Sequence, residues 1–482
     1  MKRITHTTIE VRTRMAPSPT GMLHIGGLRT ALYNYLFAKQ NGGDFLLRIE
    51  DTDRTRFVPG ATEKIYEMLA WVKLKFDDEP IVQSKRLEIY QKYAQQLIDG
   101  GHAYYCFCTP EELTKMREEQ EKKKLPPRYD GRCRNITQNE VASRLKSNKS
   151  YVLRLKTPKN QTVEFDDVVY GKIKVNSNDI DDQVLLKSDG FPTYHLAVII
   201  DDHEMKITHI MRGEEWLPST PKHILLYEAL GWQSPVYCHL PNILGANKKK
   251  LSKRTGDVSV EDFKNKGYLP EALINYIALL GWNPGTEQEI FSLDQLIKQF
   301  DINKLHKSGA IFDIKKLNDI NGQYIRKLSK QKITEMCLPY LVETYGDALQ
   351  NYSDEYIASV VALEQERLKK LSDITSSTKL FFTNELDYDA KLLPWKKTPT
   401  NAKETLLSAQ TVLMSVKKWT KEGLEETLTD FIFHNKLTHG EALWPLRVAL
   451  SGQENSPGPF EIAAVLGKEE SLKRVRAAID KL

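Results

Sequence analysis

The sequence predicts an α/β N-terminal half built on a doubly wound parallel sheet, followed by an all-α C-terminal region. Three observations carry this reading. Strand, helix and strand patterns succeed one another between residues 9 and 49, the alternation that produces parallel strands joined by right-handed crossovers. From residue 109 to 148 the composition turns to a Lys/Glu-rich helix, then Pro126-Pro127, then short polar segments, as material inserted into a sheet would. Beyond about Gly322 the helical repeat is nearly continuous. A chain of 482 residues exceeds one core, and roughly three to five units are expected.

The elements follow in order. Over residues 9–15, apolar or β-branched residues alternate with Glu10, Arg12 and Arg14, the period-two pattern of a strand with one buried face. Ala16-Pro17-Ser18-Pro19-Thr20-Gly21 is loop chemistry. After His24-Ile25-Gly26-Gly27, residues Leu28, Ala31, Leu32, Tyr35 and Leu36 recur three and four apart, as one face of a helix requires. Residues 45–49 read as a second strand ending in Glu50-Asp51-Thr52-Asp53. The sheet is expected to resume with strand-like runs at 194–200 and 207–211, and a helix over 217–230. In the last third, Gly346, Pro394 and Gly440 are expected to end helices.

Bulk properties exclude some classes of function. With 40% hydrophobic and 28% charged residues, the balance is that of a soluble globular protein, not a disordered or membrane chain. The apolar run at 197–200 falls far short of the ~20 residues that span a bilayer. Lys+Arg 69 against Asp+Glu 64 gives +5, which suits a nucleic-acid partner only if the basic groups gather on one face. Cys106, Cys108, Cys133, Cys238 and Cys337 are too few and too irregular for a disulfide framework, and the chain opens without the apolar stretch of a signal peptide. A reducing, cytoplasmic setting is expected.

Two segments can do chemistry. Pro17 to Gly27 lies between the first strand and the first helix, where a doubly wound sheet binds its ligands. Two glycines at a helix N-terminus let backbone N–H groups approach a phosphate, and His24 beside them can donate to charge developing on it. The second segment, Lys248 to Asp257, has the ordered middle Lys250-Leu251-Ser252-Lys253-Arg254 ahead of Gly256, suited to a loop that closes over a polyphosphate. Alone, the first is a glycine turn with an exposed histidine and the second a solvated basic face. Their pairing in order is far more specific than either.

The two segments resemble the HIGH and KMSKS signatures of class I aminoacyl-tRNA synthetases. The glutamyl branch is picked out by Arg-Met-Ala-Pro-Ser-Pro-Thr-Gly from Arg14, by Arg48-Ile49-Glu50-Asp51-Thr52-Asp53, and by Asp201-Asp202-His203 with Arg212-Gly213-Glu214-Glu215-Trp216. The resemblance extends over effectively the whole chain. It implies a Rossmann-like catalytic domain at 1–108 and 194–245, an α+β acceptor-binding insert at 109–193, a helical stem-contact region at 246–325 and a helical anticodon-binding region at 326–482. It also implies ATP and Mg²⁺, L-glutamate, and tRNA(Glu) as acceptor through the 2′-hydroxyl of its terminal adenosine, in a monomeric enzyme. Whether tRNA(Gln) is charged too stays open.

Glutamate carries two carboxylates and one ammonium, so its site should offer two cations and one anion, with Arg preferred for its bidentate fork. Arg14, Arg212 and Glu50 meet that demand, although Arg14 and Glu50 could equally form an ion pair across strands. By the resemblance, Arg14 and Tyr194 hold the side-chain carboxylate, Arg212 the other and Glu50 the ammonium, with Ala16 and Ser18 touching the amino acid. The division between the arginines stays open. Glu215 is expected to reach ATP, His24, Gly26 and Gly27 to line the phosphates, and Lys250, Leu251, Ser252, Lys253 and Arg254 to cover them. His24 and Lys253 are the implied catalytic pair. Some relatives bind zinc through Cys-x-Cys, a distant Cys and a His two residues on. Here Cys106, Cys108 and Cys133 are present but Asn135 holds the last position, so unmetalled thiols are expected.

Three other readings compete. A catalytically inactive tRNA-binding relative would have damaged signatures, and both are intact. A glutaminyl-tRNA synthetase would by resemblance end in β-barrels, and a truncated relative that glutamylates a modified base would lack the helical tail.

Overall fold

The structure, a computed structural model, describes residues 10–251, 258–383, 385–395 and 401–482. They form two compact units, one holding the described residues up to Asn265 with Pro270–Ile314, the other Lys266–Leu269 with Lys315–Leu482. Among the described residues, no helix is long and apolar enough to cross a membrane.

In the first unit, β1 (Arg12–Met15) leads through α1 (Ile25–Gln40) to β2 (Asp44–Ile49), and α2 (Ala61–Trp71) precedes β3 (Ile81–Val82). All three strands are parallel, with Arg14 opposite Leu46 and Arg48 opposite Ile81. α1 buries Leu28, Ala31, Leu32 and Leu36 of the stripe expected from its spacing, with Tyr35 half-buried, and buries Ile25, Arg29, Tyr33, Asn34 and Ala38 as well. Next come α3 (Leu87–Asp99), β4 (Ala103–Cys106), α4 (Pro110–Lys122), α5 (Gln138–Lys146), β5 (Val152–Leu155), β6 (Thr162–Asp167), β7 (Gly171–Asn176) and β8 (Val184–Leu186). β5 lies between β4 and β8 in a small antiparallel sheet.

The main sheet resumes with α6 (Tyr194–Glu204), β9 (His209–Gly213), α7 (Thr220–Ala229) and β10 (Val236–Leu240). β10 is parallel to β9 and also to β6, whose partner β7 is antiparallel. Thr208 joins the halves: its N–H donates to the Arg12 carbonyl and its Oγ1 accepts the Arg12 N–H, both at 2.9 Å. From β1 the chain therefore runs outward to β2 and β3 on one side and later to β9 and β10 on the other. This creates a switch point at the carboxyl ends of β1 and β9, where such sheets bind ligands.

Residues 194–200, expected as a strand, form the helix α6. Leu196, Ala197, Val198, Ile199 and Ile200 are all buried, because α6 packs among α3, α7 and β8. A helix covered on every side shows no period-3.6 contrast, and its short apolar run looks like a strand. After β10 come β11 (Ile243–Leu244), α8 (Val260–Asn265), α9 (Pro270–Ala278), α10 (Leu293–Gln299) and β12 (Ala310–Ile311), the last paired with β11.

The second unit is helical: α11 (Ile314–Ile325, its first residue in the first unit), α12 (Lys330–Tyr345), α13 (Asp354–Glu364), α14 (Ile374–Ser377), α15 (Ala402–Ser415), α16 (Lys421–His434), α17 (His439–Ser451), α18 (Pro459–Leu466) and α19 (Lys468–Lys481). Leu406, Leu413, Leu424, Leu446, Ile462 and Val475 knit α15 to α19 into one core. Gly346 ends α12 as expected, but Pro394 follows only a 3₁₀ turn at Ala390–Leu392. Gly440 opens a helix instead of ending one. It is the second residue of α17, after the Thr438/Glu441 capping box, and a Cβ there would lie 2.6 Å from the Trp395 indole. Close approach, not helix termination, accounts for this glycine.

Candidate active site

The carboxyl ends of β1, β2, β9 and β10 and the start of α1 surround a cleft of about 480 Å³. Arg14, Ala16, Ser18, His24, Gly26, Gly27, Glu50, Tyr194, Arg212, Glu215, Lys250 and Leu251 all line it. The structure thus brings these expected residues into one place from separate parts of the chain. Ser252, Lys253 and Arg254 lie outside the described residues.

One wall is a buried charge network. Arg14 on β1 grips Asp202 through Nε at 2.9 Å and Nη2 at 3.2 Å. Arg48 on β2 bridges Asp202 (2.6 Å) and Glu50 (2.9 Å). Asp201 is held by Gln83, Arg86 and Tyr90, each at 2.8 Å, and lies 4.0 Å from Arg48 Nε. The cross-strand pairing of Arg14 with Glu50 therefore does not form; each has another partner. Burial pushes the Asp202 carboxyl up, but Arg14 and Arg48 outweigh it and hold it below its ordinary value. At Glu50 burial wins over Arg48 and Arg14, and its carboxyl lies above the ordinary value.

The opposite wall is Arg212, at the end of β9 and 5% exposed. Among the described residues it has no carboxylate within 4.0 Å. Its Nε donates to His239 Nε2 at 3.1 Å, Nη2 to Thr220 Oγ1 at 2.9 Å and Nη1 to the Tyr194 hydroxyl at 3.2 Å, while His223 Nδ1 stands 3.3 Å from Nη1. Burial and then Arg212 push His223 well below its ordinary value; burial, Lys222 and Arg212 bring the adjoining His195 down to about 4. At neutral pH both imidazoles are therefore neutral, and among the described residues the side chains hydrogen-bonded to the buried Arg212 guanidinium are neutral dipoles. Tyr194 stacks on Trp216 with ring centroids 4.1 Å apart, fixing its hydroxyl beside the guanidinium.

At the far end, His24 caps α1: its Nδ1 accepts the Gly26 N–H at 3.1 Å, which leaves the neutral ring's proton on Nε2. Glu215 folds back over Gly213, where a Cβ would meet its carboxylate, and approaches Lys250 at 3.5 Å. Leu251 donates its N–H to the Ile243 carbonyl at 2.8 Å, which ties the described Lys250-Leu251 pair to the cleft's edge.

The site thus joins an amino-acid-sized pocket with two arginines and a carboxylate to a helix N-terminus suited to phosphate. Sequence reading missed Arg48 and Asp202 as ion partners, and missed Thr220, His223 and His239 altogether. Arg48 and the Asp201-Asp202 pair stood in recognised motifs, but nothing in the spacing told which cation each acid would meet.

Away from the cleft, the Sγ atoms of Cys106, Cys108 and Cys133 lie within 4.8 Å of one another. The Tyr129 hydroxyl sits 3.3 Å from Cys106 Sγ and 3.6 Å from Cys108 Sγ.

Residues 10–319 match the family described as tRNA synthetases class I (E and Q), catalytic domain, and residues 332–479 match the anticodon binding domain. The chain is 44% identical to the glutamate–tRNA ligase of Alkaliphilus metalliredigens, over 97% of this chain and 98% of the relative. It is 46% identical to that of Clostridium botulinum (strain Okra / Type B1), over 98% and 99%. The crystal structure of a glutamate tRNA ligase from Elizabethkingia meningosepticum, in complex with its amino acid, superposes with a TM-score of 0.89 at 40% identity, covering 98% of this chain and 99% of that one.

Proposed function

The chain belongs to the class I tRNA synthetases for glutamate and glutamine, and from that premise we propose that its cleft carries out the glutamate–tRNA ligase reaction on tRNA(Glu). The glutamate α-carboxylate attacks the α-phosphate of ATP and pyrophosphate leaves. The 2′-hydroxyl of the terminal adenosine then attacks the adenylate carbonyl and AMP leaves. The observation that carries the glutamate assignment is Arg212, a buried cation without a carboxylate partner among the described residues, facing the pocket that also holds Arg14 and Glu50.

In this reading Arg14 and Tyr194 take the side-chain carboxylate, Arg212 the α-carboxylate and Glu50 the ammonium, with Ala16 and Ser18 against the amino acid. The Tyr194 oxygen accepts from Arg212, so its proton is available to a carboxylate. His24 Nε2–H and the first turn of α1 bond the phosphates, Glu215 reaches the nucleotide, and Lys250 to Arg254 close over it, with Lys253 offsetting charge on the departing pyrophosphate. No protein nucleophile is needed; positioning and charge stabilisation do the chemistry. Among the described residues the carboxylates lining the cleft are Glu50 and Glu215. Magnesium bound to the ATP phosphates would supply neutralisation of part of their charge.

The segment 109–193 is the proposed acceptor-binding region and 326–482 the anticodon-binding region, in a monomer acting in the cytoplasm where ATP and tRNA are found. The test is aminoacylation with labelled glutamate on purified tRNA(Glu) and, separately, tRNA(Gln). Charging of tRNA(Glu) is expected, and charging of neither would overturn the reading.

The cysteine cluster fits a structural zinc better than the sequence suggested. Asn135 offers no imidazole, but the three cysteine sulfurs, deprotonated by a metal, and the Tyr129 oxygen would make four donors, the number a tetrahedral site needs. Zinc held there would brace β4 against the loop carrying Cys133. One equivalent of zinc is expected in the purified protein by metal analysis, with weaker retention against chelator in Tyr129→Phe; protein prepared with zinc available yet containing none would refute this.

A further inference from the structure

Behind Arg212 stands a residue that does not itself line the cleft, Asp167 at the end of β6. Both Asp167 oxygens are committed. Oδ1 accepts the N–H groups of Val169 (3.0 Å) and Tyr170 (2.9 Å); Oδ2 accepts the backbone N–H of His239 (3.1 Å) and faces its Nδ1 at 2.7 Å. His239 and Asp167 are buried, with fully covered side chains. A carboxylate beside Nδ1 fixes the imidazole proton on that nitrogen, which leaves Nε2 as a lone pair aimed at Arg212 Nε–H, 3.1 Å away. Burial lowers the His239 value despite Asp167, in keeping with a neutral ring.

We propose that Asp167 and His239 are positioning residues that set the Arg212 guanidinium for the substrate carboxylate, with Asp167 dictating the tautomer and His239 Nε2 serving as the acceptor. The inference rests on the reading of Arg212 as a glutamate ligand. It makes a strand outside the ligand-binding loops a determinant of amino-acid affinity. β6 pairs with β10 at Tyr237 opposite Asp167, so the register of the two strands carries Asp167 to His239.

Asparagine at 167 cannot satisfy this arrangement in either orientation. With its amide NH₂ at the Oδ2 position it donates to His239 Nδ1, driving the imidazole proton to Nε2 and setting N–H against the Arg212 N–H. With NH₂ at the Oδ1 position it confronts the N–H groups of Val169 and Tyr170. At position 239 the two amide side chains separate the imidazole's functions: glutamine can place an oxygen near Nε2 and keep the acceptor for Arg212, whereas asparagine reaches only the Nδ1 position.

The experiment measures KM for glutamate and for ATP, and kcat, in tRNA aminoacylation by wild type, D167N, H239Q, H239N and R212A. D167N and H239N are expected to raise the glutamate KM about tenfold, equivalent to about 1.4 kcal/mol, and H239Q by less than about threefold. The ATP KM should stay within about twofold for all three, because the nucleotide end of the cleft is untouched. Should D167N fail to fold, the ranking at position 239 decides, and H239Q no better than H239N overturns the proposal. Equal rises in the two KM values overturn it as well, since they mark general disruption. If R212A raises the glutamate KM while D167N and H239N leave it unchanged, only the positioning role fails. If R212A itself is without effect, the glutamate assignment of Arg212 fails with it.

Discussion

In the proposed reading Arg14 does two things at once, binding a substrate carboxylate and holding Asp202. Removing it should therefore show twice. In Arg14→Ala, Asp202 keeps Arg48 but loses a bidentate partner in a buried setting, and breaking such a pair costs on the order of 3–5 kcal/mol. Thermal denaturation should show a clear loss of stability and kinetics a glutamate KM that rises far more than that for ATP; a near-normal glutamate KM in folded protein would remove Arg14 from the pocket's recognition set. His24 separates in the opposite way. Its Nδ1 caps α1, a role asparagine can fill, while the Nε2 donor has no equivalent in asparagine. His24→Asn should retain stability and lose kcat, whereas His24→Ala should lose kcat and also about 1 kcal/mol of stability in urea titrations. That Arg14, Arg212 and Glu50 line one cleft is the arrangement the sequence led one to expect, since a glutamate site would need two cations and one anion. The pairing was not legible there: Arg14 and Asp202 stand 188 residues apart, and Arg48 reaches Asp202 across 154. No local pattern selects Asp202 over Glu50 for Arg14.

Elements were legible where the apolar spacing is regular. The α1 spacing led to the helix Ile25–Gln40 and the β1 alternation to the strand Arg12–Met15, but Thr13, Arg14 and Met15 are all buried, so the alternation of β1 does not mark a water-facing side. α6 was misread because Leu196 to Ile200 form a short unbroken apolar run that shows no helical period. Burial also leaves a titratable mark on one helix. Glu364, the last residue of α13, is fully buried, and burial lifts its carboxyl to about 7 although Arg367 Nη1 lies 3.0 Å away and opposes the shift. A carboxyl with a folded value above its ordinary 4.5 binds its proton more tightly in the folded chain than in the unfolded one. Its contribution to stability is therefore full below pH 4.5, falls as pH rises towards about 7, and is level above that. The change is on the order of 3 kcal/mol. Glu364→Gln should abolish this component. The difference in unfolding free energy between variant and wild type, measured by urea titration from pH 5 to pH 8, should grow in the variant's favour with pH; a difference that stays constant would show that Glu364 is ionised throughout.

At the scale of the molecule, the sequence separates an α/β part from a helical part, and the two compact units follow that division with one exception too short to read. Residues Lys266–Leu269 are surrounded in sequence by the first unit but belong to the second. Their ties are specific. Gly267 accepts the Leu371 N–H at 3.0 Å, Lys266 accepts the Ser372 hydroxyl at 2.8 Å, and Leu269 donates to Asn321 Oδ1 at 2.9 Å. Four residues carry no periodicity, and their partners lie more than 50 positions away, so only the folded chain reveals where they belong. Gly267 fits there for two independent reasons: its φ of 79° is left-handed, and a Cβ would fall 2.8 Å from both Leu371 Cβ and the Ser372 nitrogen. Backbone atoms cannot move aside as a side-chain tip can. Gly267→Ala should therefore displace this segment from the helical unit, whereas the cleft proposed to take glutamate is lined, among the described residues, by residues between 14 and 251. If the helical unit holds the anticodon, the KM for tRNA should rise several-fold or more while the KM for glutamate stays near the wild-type value. An equal rise in both would instead place this crossing among the supports of the glutamate pocket.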